Sequence, residues 1–100
     1  MASDFRIQIH RNSDNVHLNL IGSFDGTSAF ELINILKEKC SKVRRVFIHT
    51  CGISTVHPFG RSVFLKNFKG IRLHLKELKI TGDYKAQLDP AENNYLYLSH

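Results

Sequence analysis

The sequence predicts an α/β domain: a mixed sheet of four to five strands, the first antiparallel to the rest, with two main helices and a short third. Three features support this reading. Two short segments near the start alternate apolar with polar residues, and helical periodicity then alternates with short apolar runs along the rest of the chain. Hydrophobic residues make up 42% and charged residues 23%, a balance that suits a packed core and not a disordered chain. With 100 residues there is material for one core and no second, so one domain over residues 1–100 is expected.

Phe5, Ile7 and Ile9 alternate with Arg6, Gln8 and His10. After the turn-forming Asn12, Ser13, Asp14 and Asn15, the residues Val16, Leu18 and Leu20 alternate with His17 and Asn19, which reads as an antiparallel hairpin. A loop over Ser23 to Thr27 then leads to a helix whose start is marked by Ser28 with Glu31 three residues on, a capping box. Ala29, Leu32, Ile33, Leu36 and Cys40 line one face of that helix. Val46, Phe47 and Ile48 are apolar without alternation, as in a central strand covered on both faces. A loop carrying Ile53 and Val56 follows, and Pro58 suits the first turn of a second helix. Its buried stripe is Val63, Phe64, Phe68, Ile71 and Leu75, interrupted by Gly70. Leu78 and Ile80 form a short strand, Asp83 to Leu88 one or two helical turns, and Tyr95 to Leu98 a last extended segment. Parallel pairing through right-handed crossovers is expected for strands that alternate with helices.

No stretch approaches the roughly 20 apolar residues that cross a bilayer, and Met1 to Arg11 holds no apolar signal core, so a cytoplasmic chain without membrane insertion is expected. Cys40 and Cys51 fall in no zinc-ligand spacing and are read as reduced thiols, Cys40 buried. The net charge of +5 suits an acidic protein surface, an anionic lipid face or nucleic acid. The basic residues of the second half, Lys66, Lys69, Arg72, Lys76 and Lys79, have no RNA-binding aromatic motif interleaved among them. Solvated helix faces and loops are therefore their expected place, and nucleic acid is set aside as the leading partner.

Two segments make the chain resemble a STAS domain, the small α/β module typified by bacterial anti-sigma factor antagonists. In the first, Leu20 to Ala29, a strand ends in Gly22, and Asp25, Ser28 and Ala29 match the family's aspartate and its Thr or Ser followed by alanine at the first helix. The second runs from the central strand through Ile53, Val56, His57, Pro58, Phe59 and Gly60 to Val63, Phe64 and Leu65. There the family shows a hydrophobic residue, Asp-Ser-Ser-Gly and a hydrophobic helix. Gly60 is retained, whereas His57 replaces the aspartate and Pro58 and Phe59 replace the two serines. The second of those serines is the family's phosphoacceptor, so no phosphorylation is expected at Phe59. A STAS-like domain over 1–100 is what the resemblance implies.

It also implies a non-enzymatic regulatory module that docks a protein partner, an anti-sigma factor or kinase-like protein or a transporter subunit, through Asp25, Ser28, His57, Pro58, Phe59, Gly60 and Arg61. Asp25 either holds a partner's basic group or accepts backbone N–H bonds at the helix start. Pro58 and Phe59 are either an apolar hot spot or an inner plug of the loop. His49, Cys51 and His57 invite a metal reading, but no fourth ligand is placed by spacing, and neither a metal nor a cofactor is expected. No nucleophile elbow, paired carboxylates or phosphate loop is present, and no catalytic residue is assigned. The alternatives are an accessory subunit of a membrane lipid transporter, or a nucleic-acid or anionic-ligand binder using Arg61, Lys66, Lys69, Arg72 and Lys76.

Overall fold

Strand pairing follows the alternation in the sequence. The computed structural model describes residues 4–40, 42–72, 75 and 77–88. In chain order these form β1 (Arg6–Arg11), β2 (Asn15–Phe24), α1 (Gly26–Lys39), β3 (Arg45–Val56), α2 (Pro58–Arg72), β4 (Leu78–Thr81) and α3 (Lys85–Leu88). The four strands lie side by side in the order β1-β2-β3-β4. β1 is antiparallel to β2, and the pairs β2/β3 and β3/β4 are parallel. The hairpin between β1 and β2 is closed by Asn12, whose N–H donates to the Asn15 carbonyl (2.9 Å) and whose side-chain amide donates to Asn15 Oδ1 (2.8 Å).

Because β2, β3 and β4 step across the sheet in one direction, two crossovers of the same hand put both long helices on one face. α1 and α2 accordingly pack against each other. The core lies between them and the sheet: Val16, Leu18, Leu20, Val46, Ile48 and Ile80 meet Ala29, Leu32 and Leu36 of α1 and Phe64, Phe68 and Ile71 of α2. Leu88 of α3 closes the same core.

Several expectations need correction. β3 is a twelve-residue strand that continues through Cys51, Gly52 and Ile53 to Val56, where a loop was expected. β2 stays beside it as far as Phe24↔Val56 because two register shifts, at Asn19/Ile21 and Gly22/Ser23, absorb the mismatch. Gly22 takes the φ of +98° that this bend requires. Among the described residues, helices cover only one face of β3. Phe47 points away from the helical layer and packs against the rings of His17 and His49. The helix α1 starts at Gly26 and is capped by Asp25, so Ser28 is its third residue and not its cap. α2 ends at Arg72, and Leu75 is buried beyond the helix. The expected segment Tyr95–Leu98 lies outside the described residues.

Candidate functional site

Parallel strands joined by crossovers bring successive helix N-termini to the same edge of a sheet, outside the strands' C-terminal ends. β2 and β3 end together here, at Phe24 and Val56, and the His57 N–H donates to the Phe24 carbonyl (2.9 Å), extending the pairing by one residue. Asp25 and His57, 32 positions apart in sequence, thus stand side by side where α1 and α2 begin.

Asp25 has extended backbone (φ −111°, ψ −168°), as a residue flanking a helix start does. Its Oδ1 accepts the Ser28 N–H at 2.9 Å, and its carbonyl accepts the Ala29 N–H at 2.9 Å. The Ser28 hydroxyl lies 2.9 Å from both Asp25 Oδ1 and the Ser23 carbonyl, so one proton is shared between two acceptors. The Ser28 N–H and then its hydroxyl hold the Asp25 carboxyl below the usual carboxylate range; burial opposes this, and His57 adds to it. Asp25 is therefore a helix cap, and Ser28, 1% exposed, is an internal link that offers no surface to a partner.

Gly60 permits the close contact of the two helix starts. A Cβ there would fall 2.7 Å from the Asp25 carbonyl carbon and oxygen and 2.8 Å from the Phe24 oxygen, inside van der Waals contact with backbone that cannot yield. Gly26 plays the same part for Phe59, whose ring atoms Cδ2 and Cε2 would lie 2.6 Å from an added Cβ. The Phe59 ring thus rests over the first turn of α1, yet it remains 69% exposed. Of the two readings of Phe59, the inner plug is excluded. Phe30, 52% exposed, follows Gly26 by four residues and stands on the same side of α1. Pro58 and Phe59 are thus exposed apolar residues next to exposed His57, and Phe30 is exposed one turn along α1 from the glycine that the Phe59 ring overlies. Phe30 was missed from the sequence, although one signal marks it: an apolar residue next to, but outside, the buried stripe of Ala29, Leu32, Ile33 and Leu36.

Arg61 is tied elsewhere. Its Nε donates to the Gln87 carbonyl (3.0 Å) and so fixes α3 against α2. His49, Cys51 and His57 do not converge: His49 is hydrogen-bonded to His17 and Thr81 within the sheet, Cys51 is exposed on β3, and His57 stands at the strand's end. Among the described residues no group of three or more His, Cys, Asp or Glu side chains is placed to hold a metal ion. No helix among them is long and apolar enough to cross a membrane.

No protein-family model and no curated protein matches the sequence. Solved structures do match. An uncharacterized protein of the DUF3478 family from Shewanella loihica PV-4, with a SpoIIAA-like fold, is 13% identical over 96% of this chain and 81% of its own, with a TM-score of 0.61. The anti-sigma factor antagonist SpoIIAA, in its unphosphorylated form, is 11% identical over 78% of this chain and 74% of its own, with a TM-score of 0.52. A crystal structure of Mglu matches 76% of this chain at 16% identity and a TM-score of 0.67. The present chain spans about a fifth of that Mglu chain, 19%. This α/β chain, with its mixed four-stranded sheet, has the SpoIIAA-like fold.

Proposed function

We propose that this protein is a non-enzymatic docking module that binds a protein partner through the apolar patch at the shared start of its two helices. The observation that carries this reading is Phe59: a large aromatic side chain that lies over Gly26 at the start of α1 and is mostly exposed, with a second exposed ring, Phe30, one turn along the same helix. An aromatic ring fixed in place before binding buries much apolar area at little entropic cost. The neighbouring polar groups are already committed, Asp25 to Ser28 and Arg61 to Gln87, so the contact energy falls to the rings. In the anti-sigma antagonist resemblance this is the edge where a phosphorylated serine governs docking. Phe59 has no hydroxyl, and docking here is constitutive with respect to that position.

The partner class is a regulatory protein of the anti-sigma or kinase-like kind or a transporter subunit, and the test is recovery from native cells. Proteins recovered by the wild type and identified by mass spectrometry should be lost with Phe59→Asp, with binding to the isolated partner weakened by more than about 1 kcal/mol. Circular dichroism should show both chains equally folded, since Phe59 is on the surface. A folded Phe59→Asp variant that retains the same partners would remove this patch from the interface.

A further inference from the structure

The sheet face opposite the helices is chemically unlike the rest of the molecule. None of the four strands contains an Asp or Glu, whereas they contain Arg6, Arg11, Arg45 and Lys79 and the three histidines His10, His17 and His49. Of the carboxylates that flank the strands, Asp4 accepts the Ser23 N–H, Asp14 the Asn15 amide and Asp25 the Ser28 N–H, and Glu77 pairs with Arg45 at 3.3 Å, while Asp83 lies exposed two residues beyond β4. Strand alternation places Arg6, His10, His17, Phe47, His49 and Lys79 together on the helix-free face. Arg6, His10 and Lys79 are exposed.

Three rings occupy the middle of this face in nearly one orientation. His17 and Phe47 have centroids 4.7 Å apart and planes 11° apart. His17 and His49 lie at 5.1 Å and 4°, joined by a hydrogen bond of 2.8 Å between Nδ1 and Nε2. His49 Nδ1 is in turn 2.8 Å from Thr81 Oγ1, so a hydrogen-bonded chain across β2, β3 and β4 fixes the imidazoles. Rings fixed in this way need no ordering when a ligand arrives.

We infer that this face binds single-stranded nucleic acid, with bases stacking against the Phe47–His17 group and phosphates lying along Arg6, His10 and Lys79. Cations that follow a backbone beside aromatic rings that accept any base are the two requirements of sequence-tolerant binding. A second copy of this chain would bring like charges together, and an acidic peptide or lipid surface would use the cations but not the oriented rings. The surface is invisible along the linear sequence because Arg6, Phe47 and Lys79 are gathered from three strands. It is separate from the Phe59 patch and does not depend on it.

The test is fluorescence anisotropy with labelled twelve-nucleotide dT and rU strands, polyglutamate and anionic phosphatidylserine vesicles as probes, using the full chain between 50 and 200 mM salt. Binding of either oligonucleotide should weaken as salt rises. Lys79→Glu, an exposed change, should weaken it roughly fivefold or more through lost phosphate contact. Phe47→Leu, which keeps apolar bulk, should weaken it about tenfold without altering the salt slope, as loss of a stacking ring does. Lys66→Glu on α2 should leave it unchanged, and thermal melts of each variant report folding. The inference is overturned if neither oligonucleotide binds at 50 mM salt, if polyglutamate or the vesicles bind as tightly, or if Lys66→Glu weakens binding as much as Lys79→Glu.

Discussion

At Asp25 a strand turns into a helix, and its carboxylate satisfies donors that α1 would otherwise leave open. Replacing such a cap by alanine costs about 0.5–2 kcal/mol, so Asp25→Ala should lower stability by that amount in denaturant melts at neutral pH. Donation from Ser28 lowers the carboxyl's folded pKa below its ordinary 3.8, so the cap's contribution is present above that value and is lost as pH falls through the lower folded one. Wild type and Asp25→Ala should therefore converge in stability at strongly acidic pH; a difference that persisted there would assign the cap to something other than the charged carboxylate. The identity of the cap was only partly legible in the sequence. Asp25 and Ser28 are both good capping residues, and the choice between them depends on where β2 stops, a tertiary matter. The juxtaposition of Gly26 with Phe59 was not legible at all, because it arises from the crossover geometry and not from spacing.

At the scale of elements, the apolar stripe of α1 was fully legible: Ala29, Leu32, Ile33, Leu36 and Cys40 are all buried. Leu36 is wholly buried in the core that α1 shares with the sheet, and Leu36→Ala should cost about 2–5 kcal/mol. A variant with the wild-type melting temperature would refute this packing. The second half of β3 was not legible, since Cys51-Gly52-Ile53-Ser54 has no alternation, and only the bulged β2 alongside makes it a strand. The same strands carry a pH-sensitive histidine, His49. Burial, and then the nearby His17, push the His49 pKa below the ordinary 6.5, so the folded state favours neutral imidazole. With its folded value depressed, His49 contributes stability above about pH 6.5 that is lost as pH falls through the folded value. His10, His17 and Lys79 share the face, and no strand carboxylate offsets an added proton. The melting temperature should fall between neutral pH and pH 5, and His49→Gln should flatten that fall; an equally steep fall in the variant would place the titration elsewhere.

Across the whole molecule, the layering was legible in its order of elements but not in its one-sidedness. The unbroken run Val46-Phe47-Ile48 suggests two helix-covered faces, but Phe47 packs against imidazoles on the face away from the described helices. The strand order has a further consequence. Among the described residues, β2 and β3 are paired along both of their edges, whereas β1 and β4 are each paired along one. Opening an inner strand requires breaking two ladders and exposing the core, but an outer strand can separate locally. Deuterium uptake should therefore be slowest at the amides of Leu18, Leu20, Val46 and Ile48, and fastest among the strands at the outward amides of Arg6–Arg11. Protection of the outer amides of β1 equal to that of β2 would mean that a further strand pairs with that edge in solution.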